Sequence, residues 1–361
     1  MAKNRHNPFK SLGKLQKQKK ETKIWPKVAI IVLNWNGWRD TIECLESLQR
    51  ITYPNYQIIV VDNGSTDNSI EKIKDWVRDK FGLCRPDLPF HFGNSPPTDA
   101  SQLVPQVLSL SPPIVILASK ENLGFSGGNN MGIEYALSSL YPADFVFLLN
   151  NDARPEQTCI TACIEVAQKE DAAVVGAVIK DEKGDKVLFA GSKFPKELFM
   201  ANRNSPPHNL DEYWDVDRVE GSAMLIRRDL LLRREKEEGY FLNPQLFMYC
   251  EETEFCIRAR ERNYRILMAK NAIVYHKVAL SSGGAGNPLS YYYLTRNRIL
   301  LVRELLPWWL KFLFYVWYVP SRLIRALQRR IEGKSSVSAA ILEGLVDGYK
   351  GVTGKWKKHI G

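Results

Sequence analysis

Four short stretches of this chain put oxygen- and nitrogen-bearing side chains where a fold can use them. The run FVFLLNNDARPE, residues 145–156, begins as an apolar strand and breaks into Asn150, Asn151 and Asp152. An apolar run bounded by turn formers reads as a strand buried on both faces of a parallel sheet, and such sheets bind ligands outside the carboxyl ends of their strands. Asp152 is a hard oxygen ligand at such an end. With His276, which closes the run AIVYH, it can hold Mg²⁺ or Mn²⁺ against a diphosphate; a lone strand-end histidine can equally satisfy backbone groups. In YCEETEFCIRAR, Glu251, Glu252 and Glu254 crowd three carboxylates into four residues. Like charges this close raise at least one pKa toward the range of a useful general base. The competing reading is an acidic, solvated helix face, with Arg258 paired to Glu254 one turn back. Asp62 in VVDNGSTD closes another strand, where a carboxylate can accept the imino N–H of a uracil or thymine ring. Asn34 and Asn36 at the neighbouring strand end can bind ribose or base edges. Ser, Thr and Asp in that place also serve as ordinary helix caps.

The elements that must carry these residues follow a repeating pattern. KVAIIVLNWN, YQIIVVDNGSTDNS, PIVILAS and the FVFLLNND run each read as a β-branched or apolar strand, a polar loop and a helix. Four repeats indicate a doubly wound, mainly parallel α/β sheet flanked by helices, with the four loops at one edge. After the third strand the Gly-rich ENLGFSGGNNMG reads as a loop, with a helix from about Asn129 to Ser139. DAAVVGAVIKDEKG and VEGSAMLIRRDLL supply two more strands, and Asn263 suits a left-handed helix stop. Residues 84–113, rich in Pro and Ser, show no periodicity and read as a long insertion, either a lid or a disordered segment.

Charge is divided unevenly. Residues 1–27 carry nine Lys or Arg against one Glu, for +8, and residues 321–361 carry +6; since the whole chain is +10, the body between is −4. A nucleic-acid enzyme lines its main groove with positive charge. Basic tails on an acidic body fit an anionic membrane surface instead. The six cysteines, at 44, 84, 159, 163, 250 and 256, form no Cys-x-x-Cys pair and have no zinc-forming histidines nearby. They read as reduced thiols packed like small apolar residues in a cytoplasmic protein with no signal peptide. Residues 1–27 read as a basic, disordered arm. From Trp308 to Val319, between Pro307 and Pro320, twelve residues would extend only about 18 Å as a helix, against a hydrocarbon core of about 30 Å. That stretch is too short to span a bilayer, and its aromatic residues favour the headgroup boundary. SRLIRALQRRIEG then sets Leu323, Ile324, Leu327 and Ile331 on one face and four Arg elsewhere, the pattern of a helix lying in the interface. The alternative is an ordinary pair of core helices.

Taken in order, VAIIVLNWNG, IIVVDNGSTDNS, NLGFSGGNNMGI, FLLNNDARPE, EGSAMLIRRDLL, MYCEETEFCIRARERNYRI and VYHKVALSSGG resemble the nucleotide-sugar glycosyltransferases of family 2, with the GT-A fold. YYYLTRNRILLVRE is similar to their rhamnosyltransferase-like branch. The resemblance spans 28–304 and leaves 305–361 as a C-terminal helical, membrane-associating extension. It implies a divalent metal at Asp152 and His276, and a nucleotide site drawn from Asn34, Asn36, Asp62, Asn122, Asn129 and Asn151. Glu252 is the implied catalytic base, with Glu251 supporting donor or acceptor. Asn150 stands in place of the first acid of a D-x-D-like motif, and Asn129 in place of an Arg near the diphosphate. The implied reaction is an inverting transfer from dTDP-rhamnose or a UDP-sugar to a hydroxyl of a lipid-linked or cell-envelope glycan, on the inner face of the cell membrane. Two rivals are a nucleotidyltransferase, for which LNWNGWRD lacks a Lys-bearing Gly-rich loop, and a nucleotide-binding scaffold that has lost activity. A processive synthase would need several spanning helices.

Overall fold

The computed structural model describes residues 25–81, 114–138, 142–193, 212–277 and 287–357. Nearly all of the basic arm and the whole 84–113 insertion therefore lie outside the described residues.

Each apolar run with a polar ending is a strand. β1 (Val28–Asn34), β2 (Tyr56–Asp62), β3 (Ile114–Ala118) and β4 (Phe145–Asn150) are buried along almost their whole length. They pair in parallel in the order β3-β2-β1-β4. The register matters for the site: Asn34 lies opposite Asp62, and Leu33 opposite Asn150, so the polar endings share one sheet edge. Beyond β4 the sheet is mixed. It continues through β5 (Ala153–Pro155), β6 (Ala172–Lys180), β7 (Val187–Phe189), β8 (Tyr213–Asp215), β9 (Ala223–Arg227) and β10 (Arg265–His276). β9 runs antiparallel to both β4 and β6, while β10 is parallel to β6. The short β5 pairs antiparallel with the end of β10 and sets His276 opposite Ala153, next to Asp152.

Helices α1 (Trp38–Leu48), α2 (Ser69–Phe81), α3 (Gly124–Ser138) and α4 (Cys159–Lys169) follow β1, β2, β3 and β5. α3 starts five residues before the expected Asn129. Gly124 opens it in the left-handed region, φ 74°, while two later glycines are contact points: a Cβ on Gly128 would lie 2.4 Å from Leu33, and one on Gly132 would lie 2.7 Å from Ile31. Without side chains there, the helix axis can approach β1 closely. α5 (Arg228–Glu238) follows β9, and α6 (Glu251–Glu261) carries the acidic cluster. The turn after α6 has Asn263 in the left-handed region, φ 62°, as the sequence indicates. The five described cysteines are free and buried.

The chain ends in α7 (Pro288–Leu305), α8 (Trp308–Ile331) and α9 (Ser335–Lys350). α8 corrects the expectation of a break at Pro320, since it runs straight through that residue. Proline removes one hydrogen bond and crowds the preceding turn. The helix persists because Phe314 and Tyr318 are locked into a cluster with Ile299, Val302 and Leu345 from α7 and α9. A second cluster joins Phe247, Tyr292, Tyr293, Ala340 and Trp356. Residues on both sides of position 304 therefore share one core. No helix among the described residues is long and apolar enough to cross a membrane.

Candidate functional site

At the shared sheet edge the polar strand endings form one hydrogen-bond network. Asn34 donates from Nδ2 to Asp62 Oδ1 at 2.7 Å and to Ser65 Oγ at 3.1 Å. Thr41 Oγ1 donates to Asn34 Oδ1 at 2.8 Å and accepts from Asn151 Nδ2 at 3.1 Å. The second carboxylate oxygen of Asp62 accepts from the Ser65 amide at 3.0 Å. Asn34 and Asp62 have no exposed surface. A strand end locates a side chain at the edge without fixing which way it points, and these two, expected as base and ribose contacts, point into each other. Their bonds to Ser65 and Thr41 tie the β1–α1 and β2–α2 loops together. Asn129, also expected at the nucleotide, is buried on α3 with its amide donating to Phe125 O at 2.9 Å.

Asn36 and Asn122 face open space, and Asn151, though buried, borders the same cavity. Together with Thr66 and Asn150 they line one side of a cavity of about 740 Å³, whose other side includes Phe247, Tyr293, Lys355 and Trp356. Asn36 sits in the left-handed region at φ 52°, and its Oδ1 accepts from the Thr66 amide at 2.7 Å. Asn122 accepts from Asn63 and from the Gly124 amide at 3.1 and 2.8 Å. The volume and mixed lining suit a small organic ligand with several polar groups.

Asp152 and His276 meet as the β5–β10 register requires, with Nε2 of the histidine 2.9 Å from Asp152 Oδ1. Asn150 Nδ2 is 3.4 Å from the same nitrogen. The second Asp152 oxygen is buried and has no hydrogen-bond partner. Such an orphan acceptor is expensive unless something electropositive reaches it. One carboxylate and one imidazole fit a cation whose remaining positions come from phosphate and water, the usual arrangement for Mg²⁺. Among the described residues no three His, Cys, Asp or Glu gather into a complete protein cage.

The acidic cluster resolves into three different fates. Glu254 is fully buried and ion-paired to the equally buried Arg234 at 2.9 Å, so its role is structural. Glu251 is buried, and that burial pushes its carboxyl well above the usual range, with the charge of Glu252 adding to the effect. Glu252 keeps part of its side chain open and is held by Arg218 at 2.6 Å. Gly221 separates it from Phe125 of the cavity wall. A solvated acidic face is thus excluded; of the three glutamates, Glu252 alone keeps part of its side chain open.

The loop that leads into α6 is strained. Phe247, Tyr249 and Cys250 all lie at positive φ, 66°, 65° and 71°. Asn297 on α7 donates to the carbonyls of Leu246, Met248 and Tyr249 at 2.8 to 2.9 Å, and Arg296 donates to Leu246 O at 2.9 Å. Sequence reasoning picked out neither residue, nor Arg218. TRN within YYYLTRNR was the available signal, a polar pair in an otherwise aromatic and aliphatic helix.

The chain is similar to known proteins in sequence and in fold. The family model described as glycosyl transferase family 2 matches residues 29–86 and 93–234. A low-salt glycan biosynthesis hexosyltransferase of Haloferax volcanii is 30% identical over 183 residues, which cover 50% of this chain and 57% of that protein. A rhamnosyltransferase of Escherichia coli is 28% identical over 200 residues, 50% of this chain and 74% of its own length. The chain thus spans just over half the length of the first of these relatives. In fold it is similar to a mannosyltransferase of Pyrobaculum calidifontis solved in complex with GDP-mannose and Mn²⁺, with a TM-score of 0.53 at 13% identity over 93% of this chain and 89% of that one.

Proposed function

The chain belongs to glycosyl transferase family 2, and from that premise we propose that it is an inverting enzyme moving a sugar from a nucleoside diphosphate to a glycan hydroxyl. The observation that carries the assignment of roles is the separation of the three glutamates: two are buried, and Glu252 alone remains open and is oriented by Arg218. The cavity at the strand ends receives the donor, with Asn36, Asn122 and Asn151 as hydrogen-bonding groups. Glu252 takes the proton of the acceptor hydroxyl as that oxygen forms its bond to the anomeric carbon. The bond from that carbon to the diphosphate breaks, and its electron pair leaves with the nucleotide. A positioned base contributes roughly 10²–10⁴ in rate. Asp152 and His276 are the residues that would hold a divalent cation, Mg²⁺ or Mn²⁺, which when bound neutralises charge on a departing diphosphate.

The similarity to hexosyl- and rhamnosyltransferases supports dTDP-rhamnose or a UDP-sugar as donor and a lipid-linked or cell-envelope glycan as acceptor. An anionic membrane surface is the proposed place of work, on the strength of the exposed apolar face of α8.

The test is transfer and donor hydrolysis by the purified chain against a panel of UDP-, dTDP- and GDP-sugars with Mn²⁺. Glu252→Gln is expected to lose about 10²–10⁴ in kcat while still binding the nucleoside diphosphate. Turnover by Glu252→Gln at the wild-type rate would remove the base from Glu252.

A further inference from the structure

A nucleoside diphosphate brings two or more negative charges into its site, and the wall that receives it must offset them. The strand ends contribute amides and Asp152, which are neutral or negative. Among the described residues that line the cavity, Lys355 is the one cation and Glu121 the one anion. Lys355 does not come from the sheet at all. It lies beyond α9, where the chain turns at Gly351 (φ 78°) and again at Gly354 (φ 76°) and passes back over α7.

That segment is fixed by its backbone. The Gly354 amide donates to Gln245 O at 2.7 Å, and Arg296 Nη1 donates to Gly354 O at 2.6 Å. On the other side of Lys355, the Trp356 amide donates to the Tyr293 hydroxyl at 2.8 Å. The Trp356 ring stacks on Tyr292, with centroids 4.3 Å apart and planes at 8°. Between these two anchors the Lys355 side chain is exposed, and among the described residues it has no carboxylate partner. A rigid backbone therefore presents an uncommitted ammonium at the edge of the cavity.

We propose that Lys355 binds the diphosphate of the nucleotide donor, which makes the segment after α9 a wall of the donor site. This rests on the reading of the cavity as the donor site and adds the residue that recognises its charge. Lys355 acts as a point charge; its three donors reach phosphate oxygens without a fixed fork geometry.

The experiment is calorimetric titration of the full chain with UDP, dTDP and GDP, and with the matching nucleosides, in the presence of Mn²⁺. Wild type, Lys355→Ala, Lys355→Glu and Lys355→Arg are compared using whichever nucleotide binds wild type most tightly. Lys355→Ala is expected to weaken nucleoside diphosphate binding roughly ten- to hundredfold, the usual range for a hydrogen bond to a charged group. Lys355→Glu should weaken it further, Lys355→Arg should retain most of it, and nucleoside binding should not change. Because the side chain makes no packing contact that the anchors depend on, the variants should melt with wild type. Equal affinity of wild type and Lys355→Ala for the nucleoside diphosphate would overturn the proposal while leaving the donor site standing. So would a loss confined to the acceptor KM, which would place the lysine on an acceptor phosphate. A wild-type chain that binds none of the three nucleotides would overturn the donor-site reading itself, a result distinct from the other two.

Discussion

Glu251 is the side chain at which burial and charge conflict most directly. It has almost no contact with solvent, stands beside Glu252, and one of its oxygens has no partner. Its folded pKa is raised, by burial first and by Glu252 second. Below the ordinary carboxyl range, folded and unfolded chains both hold the proton. As pH rises the unfolded chain releases it first, so stability falls from that range upward through the folded pKa. Glu251→Gln removes this dependence. In scanning calorimetry its Tm advantage over wild type should be absent near pH 4 and should grow toward pH 8; a gap that does not change with pH would show that Glu251 is not held neutral. The metal position makes a second residue-level prediction. Asp152 is the single carboxylate there, and Asn150 lies 3.4 Å from His276. Asn150→Asp adds a hard, charged ligand, and Mn²⁺ affinity should tighten by about tenfold or more. Unchanged or weaker Mn²⁺ binding by Asn150→Asp would remove the cation from this pair.

At the scale of elements, the loop before α6 is held in place by α7. Residues other than glycine at positive φ cost on the order of 1 kcal/mol each, and this loop has three within four positions. Asn297 compensates by donating to three of its carbonyls. Asn297→Ala should therefore cost about 2–4 kcal/mol of stability. It should also lower kcat more than it raises the donor KM, because Glu251 and Glu252 follow directly on the loop. Asn297→Asp has the same shape but no N–H to donate, so it should behave like Asn297→Ala; a wild-type kcat in Asn297→Asp would show that the amide does not position the loop. The contrast with the strands shows what a sequence reveals. β1 to β4 were legible because an apolar run ending in Asn or Asp carries its own boundary. The start of α3 was not, since Gly128 and Gly132 signal a turn locally and become helix contacts only once Leu33 and Ile31 lie beneath them. Asn297 was illegible because its partners are backbone carbonyls 48 to 51 residues away, which no side-chain motif records. At the site, the meeting of Asp152 and His276 could be read because one follows the end of β4 and the other ends β10. The inward turn of Asp62 and Asn34 depends on a register between two strands and a serine on the loop beyond.

For the whole molecule, the question is which surface meets the acceptor. α8 buries Leu310, Phe314, Tyr318 and Ala326 against the body and leaves Trp308, Trp309, Phe312, Val316, Leu323, Ile324, Leu327 and Ile331 exposed. Trp308 is 80% exposed and Ile331 78%, at opposite ends of a helix of 24 residues, about 36 Å long. A contiguous apolar stripe of this length is unusual on a surface that faces only water. Arg325 and Arg330 lie exposed along its second half and Lys334 just beyond its end, and all three complement anionic headgroups. The geometry suits the proposed membrane docking, with the helix flat in the interface, aromatic residues at one end and basic residues at the other. The same helical layer supplies the cavity wall: α9 returns beside α7 and ends in the segment that carries Lys355 and Trp356. Docking α8 on lipid would thus hold the donor site at a fixed attitude to the membrane, as a lipid-linked acceptor requires. Flotation with phosphatidylglycerol vesicles should recover the wild-type chain, and neutral phosphatidylcholine vesicles should recover less. Added salt should reduce the binding without abolishing it, since the apolar part is not screened. The double variant Trp308→Asp, Ile324→Asp should lose vesicle binding and keep nucleoside diphosphate affinity. If that variant floats like wild type, or if it instead converts a dimer into a monomer with vesicle binding absent in both, the face covers protein and not lipid.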